Sequence, residues 1–138
     1  MAIDACQPQV ERALQKDGWT IIASPKHLVF GDKDYFIDLE LERMVHDESD
    51  TMQRITVEVK CLSIDSKRDE LYTALGQYMM YTEALLATKV STPLYLAIAD
   101  VTYLALADLV LQQALTRISA KIVLIDFNRE EVTAWKTF

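Results

Sequence analysis

Residues 54–61, Arg-Ile-Thr-Val-Glu-Val-Lys-Cys, alternate apolar and polar side chains with a period of two, and this run constrains the backbone more tightly than any other stretch. Ile55, Val57 and Val59 fall on one side of an extended chain, and Thr56, Glu58 and Lys60 on the other. The pattern predicts a half-buried strand with Glu58 and Lys60 on one face, roughly 6.5 Å apart along the strand. That spacing lets a carboxylate hold a divalent cation while an ammonium group reaches a water or an anionic oxygen beside it. A second strand-like run, Tyr35 to Leu41, lies upstream. Alternation places Phe36, Asp38 and Glu40 on one of its faces, and Tyr35, Ile37, Leu39 and Leu41 on the other. An acid at such a partly apolar position is costly unless something pairs with it. A metal ion, or Lys60 from the next strand, would meet that need.

The rest of the chain supplies the frame. Pro8 to Gln15 reads as a short amphipathic helix through Val10, Ala13 and Leu14, ended by Asp17-Gly18, where glycine suits a chain leaving a helix with positive φ. Glu11 on this helix reads as a solvated surface acid. Trp19 to Ala23 looks like a first strand. Ser24 to His27 reads as a turn with His27 at the surface, and Gly31 to Asp34 as a second turn. Glu42 to Gln53, polar and free of glycine and proline, reads as a mobile connection between two strands. Cys61 to Ser66 is a loop that carries a cap for the next helix.

Lys67 to Ala87 forms a helix whose apolar stripe is Leu71, Leu75, Tyr78, Met79, Thr82, Leu85 and Leu86. Gln77 and Tyr81, at i and i+4, share a face of it. Gly76, in mid-helix, suggests close approach of another backbone. Pro93 to Ala99 and Lys121 to Phe127 are apolar enough for strands buried on both faces. Asp100 to Ile118 between them reads as an amphipathic helix, and Val132 to Lys136 as a terminal edge strand. The order αβββαβαββ implies an antiparallel meander followed by parallel crossovers.

At 138 residues the chain suits one domain, 1–138, with a core that needs no staples. No apolar run reaches the ~20 residues of a membrane span, and Met1 to Val10 has no secretory pattern, so a cytoplasmic protein without membrane partners is expected. Cys6 and Cys61 then read as reduced thiols. With His27 and His46 they lack the paired spacing of a structural zinc site. Acids outnumber Lys and Arg 21 to 14, for a net charge of −7. Duplex DNA is usually held by a basic surface, so DNA contact through a complex, with a partner supplying positive charge, is the favoured expectation.

An aspartate on the second strand and Glu-x-Lys on the third resemble the PD-(D/E)xK nuclease superfamily and its restriction-endonuclease-like αβββαβ core, a mixed central sheet flanked by helices. Gln77 and Tyr81 resemble the Q-x-x-x-Y element of its exonuclease-like branch. Four blocks resemble the XisH family more closely: residues 13–21 (ALQKDGWTI), 35–39 (YFIDL), 57–60 (VEVK) and 73–78 (TALGQY). That family is known for control of fdxN element excision, a site-specific DNA rearrangement. The resemblance departs at Cys6 and Gln7, where an aromatic and a histidine are expected, and at residues 31–34, Gly-Asp-Lys-Asp, where Asp34 competes with Asp38 as the metal acid.

The resemblance implies a Mg²⁺- or Mn²⁺-dependent deoxyribonuclease. Asp38, Glu58 and the Val59 carbonyl would be the metal ligands. Lys60 would orient a water or offset developing charge, and Gln77 would hydrogen-bond that water or a phosphate oxygen. Tyr81 would support Gln77, and Glu11 would lean in from the first helix. It also implies an XisI-type companion protein. The alternative is a non-catalytic factor that acts by binding this partner, with Asp38, Glu58 and Lys60 as a retained ion cluster. A long Met- and Tyr-bearing helix would also suit a homo-oligomer.

Overall fold

The structure is a computed structural model and describes residues 5–46, 48–62 and 67–138. Helix α1 (Gln7–Lys16) carries Pro8 in its first turn, where a missing N–H costs nothing, and buries Val10, Ala13 and Leu14. Gly18 follows with φ +95°, the conformation expected of glycine there. Strands β1 (Thr20–Ala23), β2 (Lys26–Phe30), β3 (Lys33–Ile37), β4 (Leu39–Val45) and β5 (Thr51–Val59) come next. Helix α2 (Lys67–Ala87), strand β6 (Leu94–Ala99), helices α3 (Asp100–Leu106) and α4 (Leu109–Arg117), and strands β7 (Lys121–Asp126) and β8 (Glu131–Thr137) complete the chain.

Six strands form one mixed sheet in the order β1-β4-β5-β6-β7-β8, while β2 and β3 form a separate hairpin. The pairs β1–β4, β4–β5 and β7–β8 are antiparallel. The pairs β5–β6 and β6–β7, whose strands are joined through helices, are parallel. This is the mixed α/β sheet flanked by helices that the element order implied. Alternate residues of β6 and β7 serve two cores. Leu94, Leu96, Ile98, Ile122 and Leu124 pack with Leu71, Tyr78 and Leu85 of α2, and with Leu111 and Leu115 of α4. Ala97, Val123 and Ile125 pack on the opposite side, with Val10 and Leu14 of α1 and with Leu39, Leu41, Val57 and Val59. No helix among the described residues is long and apolar enough to cross a membrane.

Several elements differ from expectation. The single strand expected at Tyr35–Leu41 breaks at Asp38, so β3 pairs in the hairpin and β4 in the main sheet. The bend sends Ile37 into the α2-side core and Leu39 into the α1-side core. Phe36 therefore does not share a strand face with Asp38 and Glu40; it stacks on His27, which lies in strand β2 rather than a turn, at 4.7 Å between ring centroids. The connection expected over residues 42–53 is mostly strand, because β4 and β5 stay paired out to Val45 and Thr51. A cross-strand Arg54–Glu42 ion pair at 3.1 Å accompanies this pairing. The helix expected at Asp100–Ile118 is interrupted at Asp108, which caps α4 by accepting from the Leu111 N–H at 2.8 Å.

In α2, Met79 and Leu86 are exposed, since the buried positions are 71, 74, 75, 78, 84 and 85. Gly76 meets no close backbone: a Cβ there would have nothing within 4 Å. The cap expected near residues 63–66 lies outside the described residues.

Candidate functional site

The β4–β5 register builds the site. Leu39 pairs with Val57, so the antiparallel ladder brings Asp38, one residue earlier, opposite Glu58, one residue later. At this end of the ladder, side chains replace backbone pairing. The Val59 N–H donates to Asp38 Oδ2 at 2.7 Å, and the Asp38 N–H donates to Glu58 Oε1 at 3.2 Å. Lys60 Nζ lies 3.8 Å from Glu58 Oε2. Of the two aspartates weighed from sequence, Asp38 is the one in contact with Glu58; Asp34 pairs with His27 on the hairpin at 2.7 Å.

The polar face of β5 is not open to solvent as a half-buried strand would be. Thr56 is fully buried and Glu58 is 4% exposed, because their face lies on the side of the sheet where the β2–β3 hairpin and α2 pack together. Burial, followed by the charge of Asp38, pushes the Glu58 carboxyl up to about 8, against opposing contributions from its hydrogen bond to the Asp38 backbone and from Lys60. Tyr81 of α2 reaches the same region: its hydroxyl is pushed up by burial and then by the charges of Glu58 and Asp38.

Gln77 is exposed and lines a cavity of about 330 Å³ with Lys60, Cys61, Leu62, Asp69, Glu70, Thr73 and Ala74. Asp69, Glu70 and Thr73 were not anticipated as its walls, although positions 70, 73, 74 and 77 recur at helical spacing and could have been read as one face. Glu11 is half-buried on α1, and among the described residues no hydrogen bond or ion pair joins it to the acid pair. One turn earlier on α1, Gln7 is 2% exposed, and its Oε1 has no hydrogen-bond partner among the described residues. The sequence marked Gln7 only as a departure from the expected family pattern.

The cysteines are not reduced. Cys6 and Cys61, 55 residues apart, form a disulfide with a Cα–Cα distance of 5.7 Å, inside the usual range. Nothing in the spacing of two lone cysteines announces it. Sheet register carries Cys61 past the end of β5 to the first turn of α1, a juxtaposition that belongs to the fold.

A divalent cation fits the donor set. Two buried carboxylates this close resist joint ionisation unless a cation lies between them. Among the described residues no third His, Cys, Asp or Glu joins them in a metal-holding group. Two carboxylates, a backbone carbonyl and waters suit Mg²⁺, which keeps much of its water shell.

Fold and site together define a mixed α/β protein with a buried carboxylate pair and a lysine at the end of a central strand. The chain belongs to the XisH family, whose model, described as XisH protein, matches residues 1–133. It is similar to the crystal structure of an fdxN element excision controlling factor protein from Anabaena variabilis, with 30% identity, a TM-score of 0.83, and coverage of 96% of this chain and 98% of that one. It is also similar to an XisH family protein from Nostoc punctiforme, with 30% identity, a TM-score of 0.80 and the same coverage. No protein with a curated description matches it significantly.

Proposed function

We propose that this chain acts in the control of site-specific DNA element excision, and that its acid pair is a metal-dependent site for phosphodiester hydrolysis. The observation that carries the reading is the convergence of Asp38, Glu58 and Lys60 at one end of β5. Asp38, Glu58 and the Val59 carbonyl would hold Mg²⁺ or Mn²⁺. The bound ion would supply a water of lowered pKa and stabilise charge on the phosphate. Lys60 would offset negative charge developing on the phosphate, and its restraint beside Glu58 reduces the reorganisation required. Gln77, on the cavity wall, would hydrogen-bond a phosphate oxygen, and Tyr81, one turn further along the same face of α2, would support it.

The test uses purified protein, with and without an XisI-type companion, on linear, nicked, branched and single-stranded DNA in Mg²⁺ or Mn²⁺. Cleavage lost in Lys60→Ala supports the reading; no cleavage above that variant on any substrate overturns it.

A second reading, a non-catalytic factor that works by binding its companion, is favoured by apolar exposure on another part of the surface. Val101 and Leu104 of α3 and Leu109 and Val110 of α4 are 69%, 73%, 70% and 68% exposed. The net charge of −7 also favours DNA contact through a partner rather than directly. Co-elution with the companion, unaffected by Glu58→Ala but lost in Leu104→Asp, would favour this reading. Calorimetry with Mn²⁺ separates the two: a binding signal that disappears in Glu58→Ala belongs to the hydrolytic one.

A further inference from the structure

Three consecutive residues at the end of β5 are each tied to a different element. Val59 is held by Asp38 through its N–H, Lys60 by β6 through its N–H to the Ala97 carbonyl at 3.0 Å, and Cys61 by α1 through the disulfide to Cys6. Only the third tether is covalent and chemically reversible. Cys6 also opens helix α1: its carbonyl accepts from the Gln9 and Val10 N–H groups, and its own N–H donates to Cys61 Sγ at 2.9 Å. The bond thus joins the first turn of one helix to the residue beside the site lysine.

We infer that Cys6 and Cys61 form a reversible thiol–disulfide site whose oxidation state governs how firmly the Val59–Cys61 segment is held. The consequence for a bound cation rests on the hydrolytic reading above; the thiol chemistry does not.

Two features favour a reversible site over a structural staple. The chain already buries two extensive apolar cores on opposite sides of its sheet, so it lacks the weak core that makes small domains depend on disulfides. Cys6 is 7% exposed and borders a cavity of about 360 Å³, whereas Cys61 is half-buried and borders that cavity and a second of about 330 Å³. Exchange requires access to a sulfur, and Cys61 is the more accessible of the two.

Access selects the order of events. A thiolate of a dithiol reductant attacks Cys61 Sγ, the Cys6–Cys61 bond breaks, and Cys6 leaves as a thiolate that takes a proton. The reductant's second thiolate attacks its own sulfur in the mixed disulfide, releasing Cys61 as a thiol. The reductant ends as a cyclic disulfide, having supplied two electrons, and two protons are taken up by the cysteines. A disulfide oxidant reverses the sequence.

The experiment compares oxidised protein, dithiothreitol-reduced protein and a Cys6→Ser/Cys61→Ser double variant. Thiol alkylation read by mass spectrometry reports the bond, and hydrogen exchange reports the backbone at residues 5–16 and 57–62. We expect both cysteines to resist alkylation until reduced. Exchange in the two segments should then rise on the order of tenfold, with the double variant matching the reduced form and ignoring reductant. Cysteines alkylated without reductant, or exchange identical in both states, would overturn the proposal. Circular dichroism of the wild type in both states reports any global loss of structure; such a loss on reduction would make the bond a staple and overturn the switch. Mn²⁺ calorimetry on the same samples keeps the two readings apart. A redox-dependent exchange difference without Mn²⁺ binding in either state retains the thiol site and removes the metal site. Mn²⁺ binding of equal strength in both states would overturn the link between the bond and the acid pair.

Discussion

Replacing Glu58 by glutamine should change how stability depends on pH. The Glu58 side chain is 6% exposed, and its carboxyl sits at about 8 in the folded protein against 4.5 for the free side chain. The folded state therefore keeps a proton that the unfolded chain gives up. The stability this contributes is fully present below 4.5 and is lost as pH rises through about 8. A displacement of that size corresponds to roughly 5 kcal/mol across the window, with a slope of at most about 1.4 kcal/mol per pH step. The substituted glutamine would keep the shape and the acceptor for the Asp38 N–H without titrating. Urea unfolding, followed through the buried Trp19, would be measured from about pH 4.5 to about pH 8.5 for both proteins. The wild type should lose several kcal/mol relative to Glu58→Gln as pH rises, because other titrating groups and the overall negative charge largely cancel in the difference. Saturating Mn²⁺ should shrink that loss, since a cation at the pair stabilises its charged form. Parallel curves for the two proteins would refute the reasoning that burial holds the Glu58 carboxyl protonated in the folded state.

Tyr78→Phe tests the anchor that holds α2 on the sheet. The hydroxyl donates to the Leu94 carbonyl at 2.9 Å and accepts from the Lys121 N–H at 3.0 Å, so its removal should cost about 1–3 kcal/mol in urea unfolding. Gly76→Ala should stabilise the protein by about 1 kcal/mol, because a Cβ there meets nothing within 4 Å and helical alanine is favoured over glycine. A lower midpoint in thermal unfolding of Gly76→Ala would show that the open space at Gly76 is occupied in solution.

Much of this protein is local information. Period-two alternation marked β5, helical spacing delimited α2 at Lys67–Ala87, and Asp17-Gly18 ended α1 in the way a positive φ requires. The acid on the second strand-like run and Glu-x-Lys on the next placed Asp38, Glu58 and Lys60 on neighbouring segments, and the hairpin register made Asp38 and Glu58 opposite. Periodicity, however, describes a face only relative to its own backbone; it does not say what covers that face. Thr56 and Glu58 read as the solvent side of a half-buried strand, yet they face the side where the β2–β3 hairpin and α2 pack, and this desolvation moves the Glu58 carboxyl. The break at Asp38 was hidden for the same reason: Ile37 and Leu39 alternate smoothly in sequence but enter different cores. The bond between Cys6 and Cys61 joins residues 55 apart, through a juxtaposition that arises when α1 packs against the end of β5. What depends on the chain's own repeat could be read in advance. What depends on which surfaces meet, and hence on dielectric, charge proximity and covalent reach, existed only once the sheet had closed between its helices.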